Sequence, residues 1–552
     1  MKAISVLFLL VLVFIFLPTL SQAKYQVATE ELIRHELEAN KNAALTVGST
    51  KIAATKLIQN FYQYNDYQLA WKDQAMIDVL LEAIDNADTL GLTPGDYHQS
   101  IIKARIEKAL TGEAAQQAQL DIILTDALVR LIYHLSYGKV VPGSLDPDWN
   151  FSREFMTSDP VAKLHYILRS EKKLKNYLDK NIHLGPFYQG LVKALAQYRR
   201  IQKSGGWKTI PAGKTLKPDM QDPRIPLIKA RLQVTGDLKK SKIEANVHDY
   251  NAEIEAGVKH FQHRHQIEVD GIIGKGTLQQ MNDTVAFRID QIKANLERIR
   301  WIRHNLGDEF VLVNIAGYKV YYVQDNKLVW ESRAQVGKEY RKTPVFRDNI
   351  KYLVFNPTWT VPPTILEKDI LPKLKKDPGY LQKKNMNVVD LKGKKINSSN
   401  INWSTTTVKN FPYMIRQEPG PANALGRVKI MFPNKHLVYL HDTPSKSKFD
   451  RAERAFSSGC IRIENPFELV ELLLKDNSKW NQAKFKEILD SEKLQNVSLP
   501  QSVPVLLLYF TSRMDKDGQV MFYKDIYHRD EKIIHGLKQP FHLLAPDPNG
   551  QK

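Results

Sequence analysis

The chain has 552 residues, enough for about three domains with hydrophobic cores of their own. Lysine and arginine number 79 against 60 aspartate and glutamate residues, a formal charge of +19 at pH 7 that predicts an anionic partner. No basic stretch interleaved with aromatic residues accompanies this charge, so nucleic acid is not the predicted partner. The positive charge is explained either by an anionic cell wall or a phospholipid surface as the partner, or by a basic surface that is only well solvated.

The amino terminus has the pattern of a secretory signal peptide. Lys2 precedes an apolar run at residues 3–20, and Ser21-Gln22-Ala23 supplies a small-x-small ending. Together they predict a signal at residues 1–23, cleavage after Ala23, and export. An uncleaved inner-membrane anchor is the alternative, because the run is at the lower limit of a membrane span.

Residues 24–203 have the apolar periodicity of helices, as in Leu80, Leu81 and Ile84. They predict an α-helical scaffold domain in which no active site is visible. A linker rich in glycine, proline and lysine follows at residues 204–222.

A small helical module is predicted at residues 223–284, and a connecting helix at 285–309. Three histidines in the module could bind a metal, namely His260, His263 and His265, but neither a cysteine nor a clear fourth ligand accompanies them. A phosphate loop is also not predicted, because the glycine-rich stretch lacks both the Walker spacing and a preceding strand.

From Phe310 the pattern changes to short β-strands separated by turn residues, which predicts a mostly-β domain at residues 310–544 before a polar tail at 545–552. One of these strands ends at His441. An acidic turn at residues 515–518 indicates a hairpin, because the closing glutamate of a calcium loop is missing.

An insertion at residues 356–428 interrupts the strand pattern and contains Trp359 and Trp403. Long segments near a site often act as lids, so these tryptophans are predicted to present apolar surface to a substrate. A peripheral decoration that only packs is the alternative. The fold class is therefore multidomain α+β.

The single cysteine of the chain, Cys460, lies in the stretch Ser457-Ser458-Gly459-Cys460, nineteen positions after His441. An odd cysteine in an exported protein is a candidate reactive thiol, and such a thiol needs a base to form the nucleophilic thiolate. The Gly459 and Cys460 amides are candidate donors to an oxyanion, with the Ser457 and Ser458 hydroxyls beside them.

His441, a spacer of roughly fifteen residues and then Ser-x-Gly-Cys-Ile-Arg resemble the signature of the YkuD-type L,D-transpeptidases. The helical domain and the module, with its Phe-Gln-x-x-His and Asp-Gly-x-x-Gly-x-x-Thr phrases, resemble the scaffold and the three-helix peptidoglycan-binding domain of the large Gram-negative (YcbB-like) subgroup. The insertion occupies the place of that subgroup's capping subdomain. Ser458 stands where the family often has histidine, so a second imidazole is lost.

The resemblance implies a periplasmic enzyme that joins peptidoglycan stems by 3→3 cross-links without cofactor or metal. Cys460 is then the nucleophile and His441 the general base and acid, with Ser458 in support. A tetrapeptide stem is the donor, D-alanine leaves, and a diaminopimelate amine is the acceptor. Other wall-synthesis proteins are possible partners. The predicted substrate contacts are Arg462, Tyr439, Ser457, Trp359 and Trp403, and Arg462 either holds a carboxylate or braces the turn.

Two other functions remain open. Water in place of the amine acceptor would make the protein an L,D-carboxypeptidase or hydrolase that uses the same acyl-enzyme. A non-catalytic scaffold that only binds the cell wall is the alternative from a different class. A papain-like protease is disfavoured, because its histidine would follow the cysteine, and His528 and His535 lack a suitable context.

Overall fold

The computed structural model describes residues 29–39, 45–111, 113–151, 159–239 and 247–541. The predicted signal peptide, its cleavage site and the polar tail lie outside these residues. Within the described ranges, no helix combines the length and the apolar character needed to cross a membrane.

The amino-terminal third is helical, because apolar side chains recur at helical spacing over most of it. A helix at 29–38 and a small hairpin, β1 (Thr46–Val47) and β2 (Thr50–Lys51), precede the main bundle. Nearly all of the helix Ala114–Tyr137 is buried, so it forms the axis of this bundle. The bundle helices are Thr55–Tyr64, Gln74–Asp85, Gln99–Thr111, Ala114–Tyr137, Pro142–Leu145, Pro160–Ile167, Glu171–Ile182 and Gly185–Lys203, with 3₁₀ turns at Asn86–Leu90 and Pro94–Tyr97.

Three short helices form the next unit, Ile225–Val234, Ala252–Arg264 and Lys275–Asn282. They enclose a separate apolar core that includes Ile228 and Phe261. The predicted connecting helix follows at Val285–Ile302, with a 3₁₀ turn at Arg303–Asn305. It packs against the last bundle helix, so a single continuous core extends from the bundle into the β domain.

Most of the remaining strands form one large sheet with the order β13-β5-β14-β12-β11-β6-β15-β3-β4. Because β4 also pairs with β5, the strands from β5 to β4 in this order form a closed ring of hydrogen-bonded strands. The strands of this sheet are β3 (Phe310–Asn314), β4 (Lys319–Gln324), β5 (Lys327–Gly337), β6 (Phe346–Phe355), β11 (Val428–Met431), β12 (Leu440–His441), β13 (Ala455–Ser457), β14 (Ile461–Ile463) and β15 (Gln495–Leu508).

Shorter elements surround this sheet. The strands β16 (Ser512–Met514) and β17 (Val520–Phe522) pair as the hairpin predicted at the acidic turn. The accompanying helices are Pro466–Leu474, Gln482–Asp490 and Asp530–Lys538, with a 3₁₀ turn at Lys446–Asp450.

The insertion folds as a subdomain with its own four-stranded sheet of order β7-β10-β8-β9. Its apolar core includes Leu374 and Ile415 and is separate from the core of the large sheet. The multidomain α+β fold is thus confirmed. The elements are β7 (Trp359–Thr360), β8 (Met386–Val389), β9 (Lys395–Ile396) and β10 (Met414–Gln417), helices Pro363–Ile365, Leu371–Lys376 and Tyr380–Lys383, a π-helical turn Leu366–Ile370, and 3₁₀ turns Ser398–Asn400 and Val408–Asn410.

The junction between bundle and connecting helix depends on Gly138, whose φ of 76° and ψ of 167° suit glycine alone. A Cβ there would lie 2.4 Å from the carboxylate oxygen of Glu297, which accepts a hydrogen bond from Val140 N–H. We expect Gly138→Ala to lower the free energy of unfolding by roughly 2–4 kcal/mol. Gly185 has the same φ but open space around it, so Gly185→Ala should cost about 1–2 kcal/mol. Equal losses in denaturant titrations would show that the contact with Glu297 is unimportant.

Candidate active site

The order of the sheet brings the histidine and the cysteine together. β12 and β14 are parallel neighbours, with Leu440 opposite Ile461 and His441 opposite Arg462. Cys460 directly precedes β14, and the Ile461 amide donates to the Tyr439 carbonyl. The two residues singled out in the sequence therefore lie on or directly next to neighbouring strands in the middle of the sheet.

His441 is buried, with 3% of its surface exposed, and its Nδ1 lies 2.5 Å from the Asp442 carbonyl oxygen. Because a carbonyl only accepts hydrogen bonds, Nδ1 carries the proton of the neutral ring and Nε2 keeps a lone pair. Burial first, and then the nearby Arg462 charge, lower the pKa of His441 to about 3. The ring is therefore neutral near pH 7.

The Cys460 thiol is half-buried, and its Sγ lies 3.7 Å from the Leu437 carbonyl oxygen. Burial raises the pKa of this thiol above its usual range, while hydrogen bonds from Tyr439 and the charges of Lys429 and Arg462 act in the opposite direction. The resting group is the protonated thiol, so its reactivity depends on a neighbouring base.

Tyr439, predicted to line the site, lies between these groups. Its ring is 5.6 Å from the His441 ring, centroid to centroid, in an edge-on arrangement. The Nζ atom of Lys429 lies 4.2 Å from the Tyr439 ring centroid. Lys429 pairs with His441 across β11 and β12, and sequence reasoning did not identify it, because only the register of the sheet brings it here.

Arg462 is the second cation at the thiol. Its Nη1 donates to Gln335 Oε1 at 3.2 Å, while its buried Nε has no hydrogen-bond partner among the described residues. Lys429 and Arg462 thus both favour negative charge on Cys460. Of the two roles predicted for Arg462, the Gln335 contact fits bracing, and the unpaired Nε leaves room for a substrate carboxylate.

Ser457 organises the turn before the nucleophile. Its hydroxyl donates to the Cys460 carbonyl at 2.5 Å and accepts from the Gly459 N–H at 3.1 Å. The Gly459 amide, expected to face an oxyanion, is therefore engaged within the turn. The Cys460 amide makes no hydrogen bond to any residue that the structure describes. Thr343 stabilises the turn, since its hydroxyl donates to the Gly459 carbonyl at 2.8 Å.

Ser458 faces outward and is linked to the inserted subdomain. Arg341 Nη1 lies 2.7 Å from Ser458 Oγ and 2.7 Å from Asp369 Oδ2 of the insertion. The Arg341 side chain is only 14% exposed, so this bridge is partly shielded from water. We call these three residues the Arg341 bridge. It joins the insertion to the turn that carries Cys460, and the sequence did not reveal it.

Trp403 corrects one sequence prediction. We expected its side chain to offer apolar surface to a substrate, but it is 6% exposed and packs 5.7 Å from the Phe411 ring in the core of the insertion. Its apolar character stabilises that subdomain. Trp359 in β7 is half-buried and packs on the edge of the same core.

Two of the module histidines considered as metal ligands have other partners. His260 Nδ1 lies 2.7 Å from Asp237 Oδ1, and His265 Nδ1 lies 2.8 Å from the Phe261 carbonyl oxygen. Across the described ranges, no group of three or more histidine, cysteine or carboxylate side chains could hold a metal ion.

Three family models match this chain. Residues 308–480 match the "L,D-transpeptidase catalytic domain" of the YkuD family, residues 56–195 match the "Scaffold domain", and residues 221–281 match the "Putative peptidoglycan binding domain". These matches fall on the large sheet with its cysteine, on the helical bundle and on the three-helix unit.

One curated relative is a Haemophilus influenzae protein named "Putative L,D-transpeptidase", 36% identical over 245 residues. The match covers 44% of this chain and 48% of the relative, so the chain spans about half the length of that protein.

Two solved structures have a weak similarity to the chain. One is an L,D-transpeptidase from Xylanimonas cellulosilytica, and another is a fused Zn-dependent amidase/peptidase/peptidoglycan-binding protein from Clostridium acetobutylicum. Each is 13% identical with a TM-score of 0.16 and covers 54% of this chain, over 99% and 100% of the respective structure. At these TM-scores neither similarity supports a conclusion.

Proposed function

Because this chain belongs to the family of multidomain proteins with a YkuD-type L,D-transpeptidase catalytic domain, we propose that it forms 3→3 peptidoglycan cross-links through a thioester on Cys460. The observation that carries the proposal is the buried, neutral His441 on the strand next to the one that follows Cys460, the only cysteine of the chain. Such a pair supports nucleophilic acyl transfer.

In the first half-reaction, His441 Nε2 removes the proton from Cys460 Sγ, and the thiolate attacks the carbonyl carbon of the third residue of a tetrapeptide stem. The Cys460 amide stabilises the oxyanion, and the Gly459 amide joins it only after Ser457 Oγ turns away. Lys429 and Arg462 stabilise the thiolate. The amide bond to the terminal D-alanine then breaks, and His441 gives its proton to the leaving amine.

In the second half-reaction, the side-chain amine of diaminopimelate on an acceptor stem attacks the thioester carbonyl. His441 takes a proton from the attacking amine as the new amide bond forms. The carbon–sulfur bond breaks, and the proton returns to Cys460. The resulting bond joins the third residues of two stems, and no cofactor or metal takes part.

Peptidoglycan is the substrate implied by the peptidoglycan-binding and transpeptidase matches. A groove of about 680 Å³ lies between the three-helix module and the β domain, with Gln266 and Thr277 on one wall and Tyr318 and Tyr523 on the other. Its mixed polar and apolar lining suits a glycan strand or a stem peptide, and the net charge of +19 suits an anionic wall. The compartment that contains this polymer is the periplasm of a Gram-negative cell.

Hydrolysis would use the same acyl-enzyme, with water in place of the amine. The Arg341 bridge favours transfer, because it holds the insertion against the turn that carries the thioester and so limits the entry of water. A non-catalytic scaffold is disfavoured, since the cysteine, the neutral histidine and the ordered turn support acyl transfer.

The test is to incubate the purified protein with a disaccharide-tetrapeptide and determine the masses of the products. We expect a dimer whose mass equals that of two donor molecules less one molecule of D-alanine. A tripeptide product without any dimer would replace the transferase with a hydrolase. Unchanged donor would contradict both activities.

A further inference from the structure

A cavity of about 150 Å³ lies where the helical bundle meets the β domain. Trp149 comes from the bundle, Arg298 and Trp301 come from the connecting helix, and Tyr509, Tyr527 and Lys532 come from the end of the chain. Neither Cys460 nor His441 lines it, so it is separate from the candidate active site.

The charges around this cavity are mainly positive. Arg298, Lys342, Arg529 and Lys532 line it, against one lining carboxylate, Asp146. Arg529 pairs with Asp146, and Arg298 Nη1 lies 2.6 Å from Asp530. Lys342 Nζ donates only to the Tyr527 carbonyl, and Lys532 Nζ has no partner among the described residues. Two ammonium groups at the cavity are thus without a carboxylate.

Two lining residues also have buried hydrogen-bond donors for which the described part of the chain supplies no partner, Arg298 Nη2 and Trp149 Nε1. Arg298 is only 5% exposed, so bulk water does not supply the missing hydrogen bond. A buried polar group without a hydrogen bond costs about 1–3 kcal/mol. Guanidinium and indole nitrogens only donate, so both unpaired groups require an acceptor.

The apolar walls define the body of a ligand. The Trp149 and Trp301 rings meet edge to face at 5.5 Å, and the Tyr509 and Tyr527 rings stack at 5.5 Å. Flat aromatic walls with convergent donors are typical of small-molecule sites. We propose that this cavity binds a small organic anion, with one carboxylate or phosphate group on a flat apolar body.

A ligand in this cavity would contact a residue that supports the turn of the active site. The Tyr527 hydroxyl accepts from Thr343 N–H at 3.1 Å and donates to the Gly337 carbonyl at 2.6 Å. Thr343 in turn supports Gly459. The wall of the cavity is therefore continuous with the turn that carries the nucleophile.

Benzoate and phenyl phosphate are suitable probes for the full-length protein, because they share a flat ring and differ in the anionic group. Benzyl alcohol and benzamidine are matched neutral and cationic controls. We expect saturable calorimetric heats and quenching of tryptophan fluorescence with at least one anionic probe, and neither with the controls. The preferred probe identifies the anionic group.

Two variants locate the binding. Trp149→Phe keeps an aromatic ring but removes the indole N–H donor, and should weaken binding about fivefold. Lys532→Gln should weaken it about threefold. Lys538→Gln, on the same helix but outside the cavity, should leave it unchanged. Absence of binding by both anions, equal binding of benzyl alcohol, or affinities unaffected by both cavity variants would overturn the proposal.

Discussion

His441→Ala is expected to slow formation of the acyl-enzyme by about 10²- to 10⁴-fold at pH 7, the range typical of general acid–base catalysis. The reason is that burial raises the pKa of the Cys460 thiol, so few molecules hold the thiolate without a base. The measurement is the single-turnover rate of acylation, followed by intact mass with a soluble donor.

The pH dependence separates this role from a structural one. In the variant, the acylation rate should still be rising above pH 9, because the thiol must then ionise unaided. In the wild type, lowering the pH from 7 to 5 should not protonate His441, whose pKa is about 3. A wild-type rate that falls with an apparent pKa near 6.5 would contradict the burial of this base. His436→Ala, in the loop before β12 and beside Phe346, is a control that should leave the rate unchanged.

Removing the inserted subdomain is expected to shift the products from cross-linked dimer toward free tripeptide by roughly tenfold or more, because the thioester then meets bulk water. The structure permits this deletion, since Phe355 and Val428 are paired neighbours on β6 and β11. A Gly-Ser linker in place of residues 358–424 would preserve Asn356, which is buried against Ile488. Product masses give the ratio directly.

A single substitution tests the same protective role of the insertion with a smaller change to the protein. Asp369→Asn weakens the Arg341 bridge and should shift the product ratio in the same direction by about two- to fivefold. Asp377→Asn is the matched control, because its ion pair with Lys383 lies wholly within the insertion. If the deletion leaves the ratio unchanged, the insertion does not protect the thioester. Loss of acylation in a folded deletion variant would instead assign the insertion to donor binding.

The sequence predicted the elements whose signals are local. Helical and alternating periodicities indicated the bundle, the three-helix module and the β domain, and the spacing of His441 and Cys460 indicated the reactive pair. Lys429 and Arg341 could not be found in this way, because sheet register and the packing of the insertion bring them to the thiol from distant parts of the chain.

Trp403 shows the opposite error. An apolar side chain is compatible both with a substrate-binding surface and with a hydrophobic core. The structure places Trp403 in the separate core of the insertion. The Gly459 amide is a similar case, since its engagement depends on the rotation of the Ser457 hydroxyl. Side-chain rotation leaves no signal in residue spacing.

The central claim is that Cys460 carries the acyl group. The most direct measurement is the intact mass of the protein after brief incubation with a carbapenem or a tetrapeptide donor, followed by peptide mapping. We expect one adduct per chain on the peptide that contains Cys460, and none in Cys460→Ala, which should keep the wild-type thermal stability. An adduct on another residue, or cross-linking by Cys460→Ala at the wild-type rate, would contradict the account.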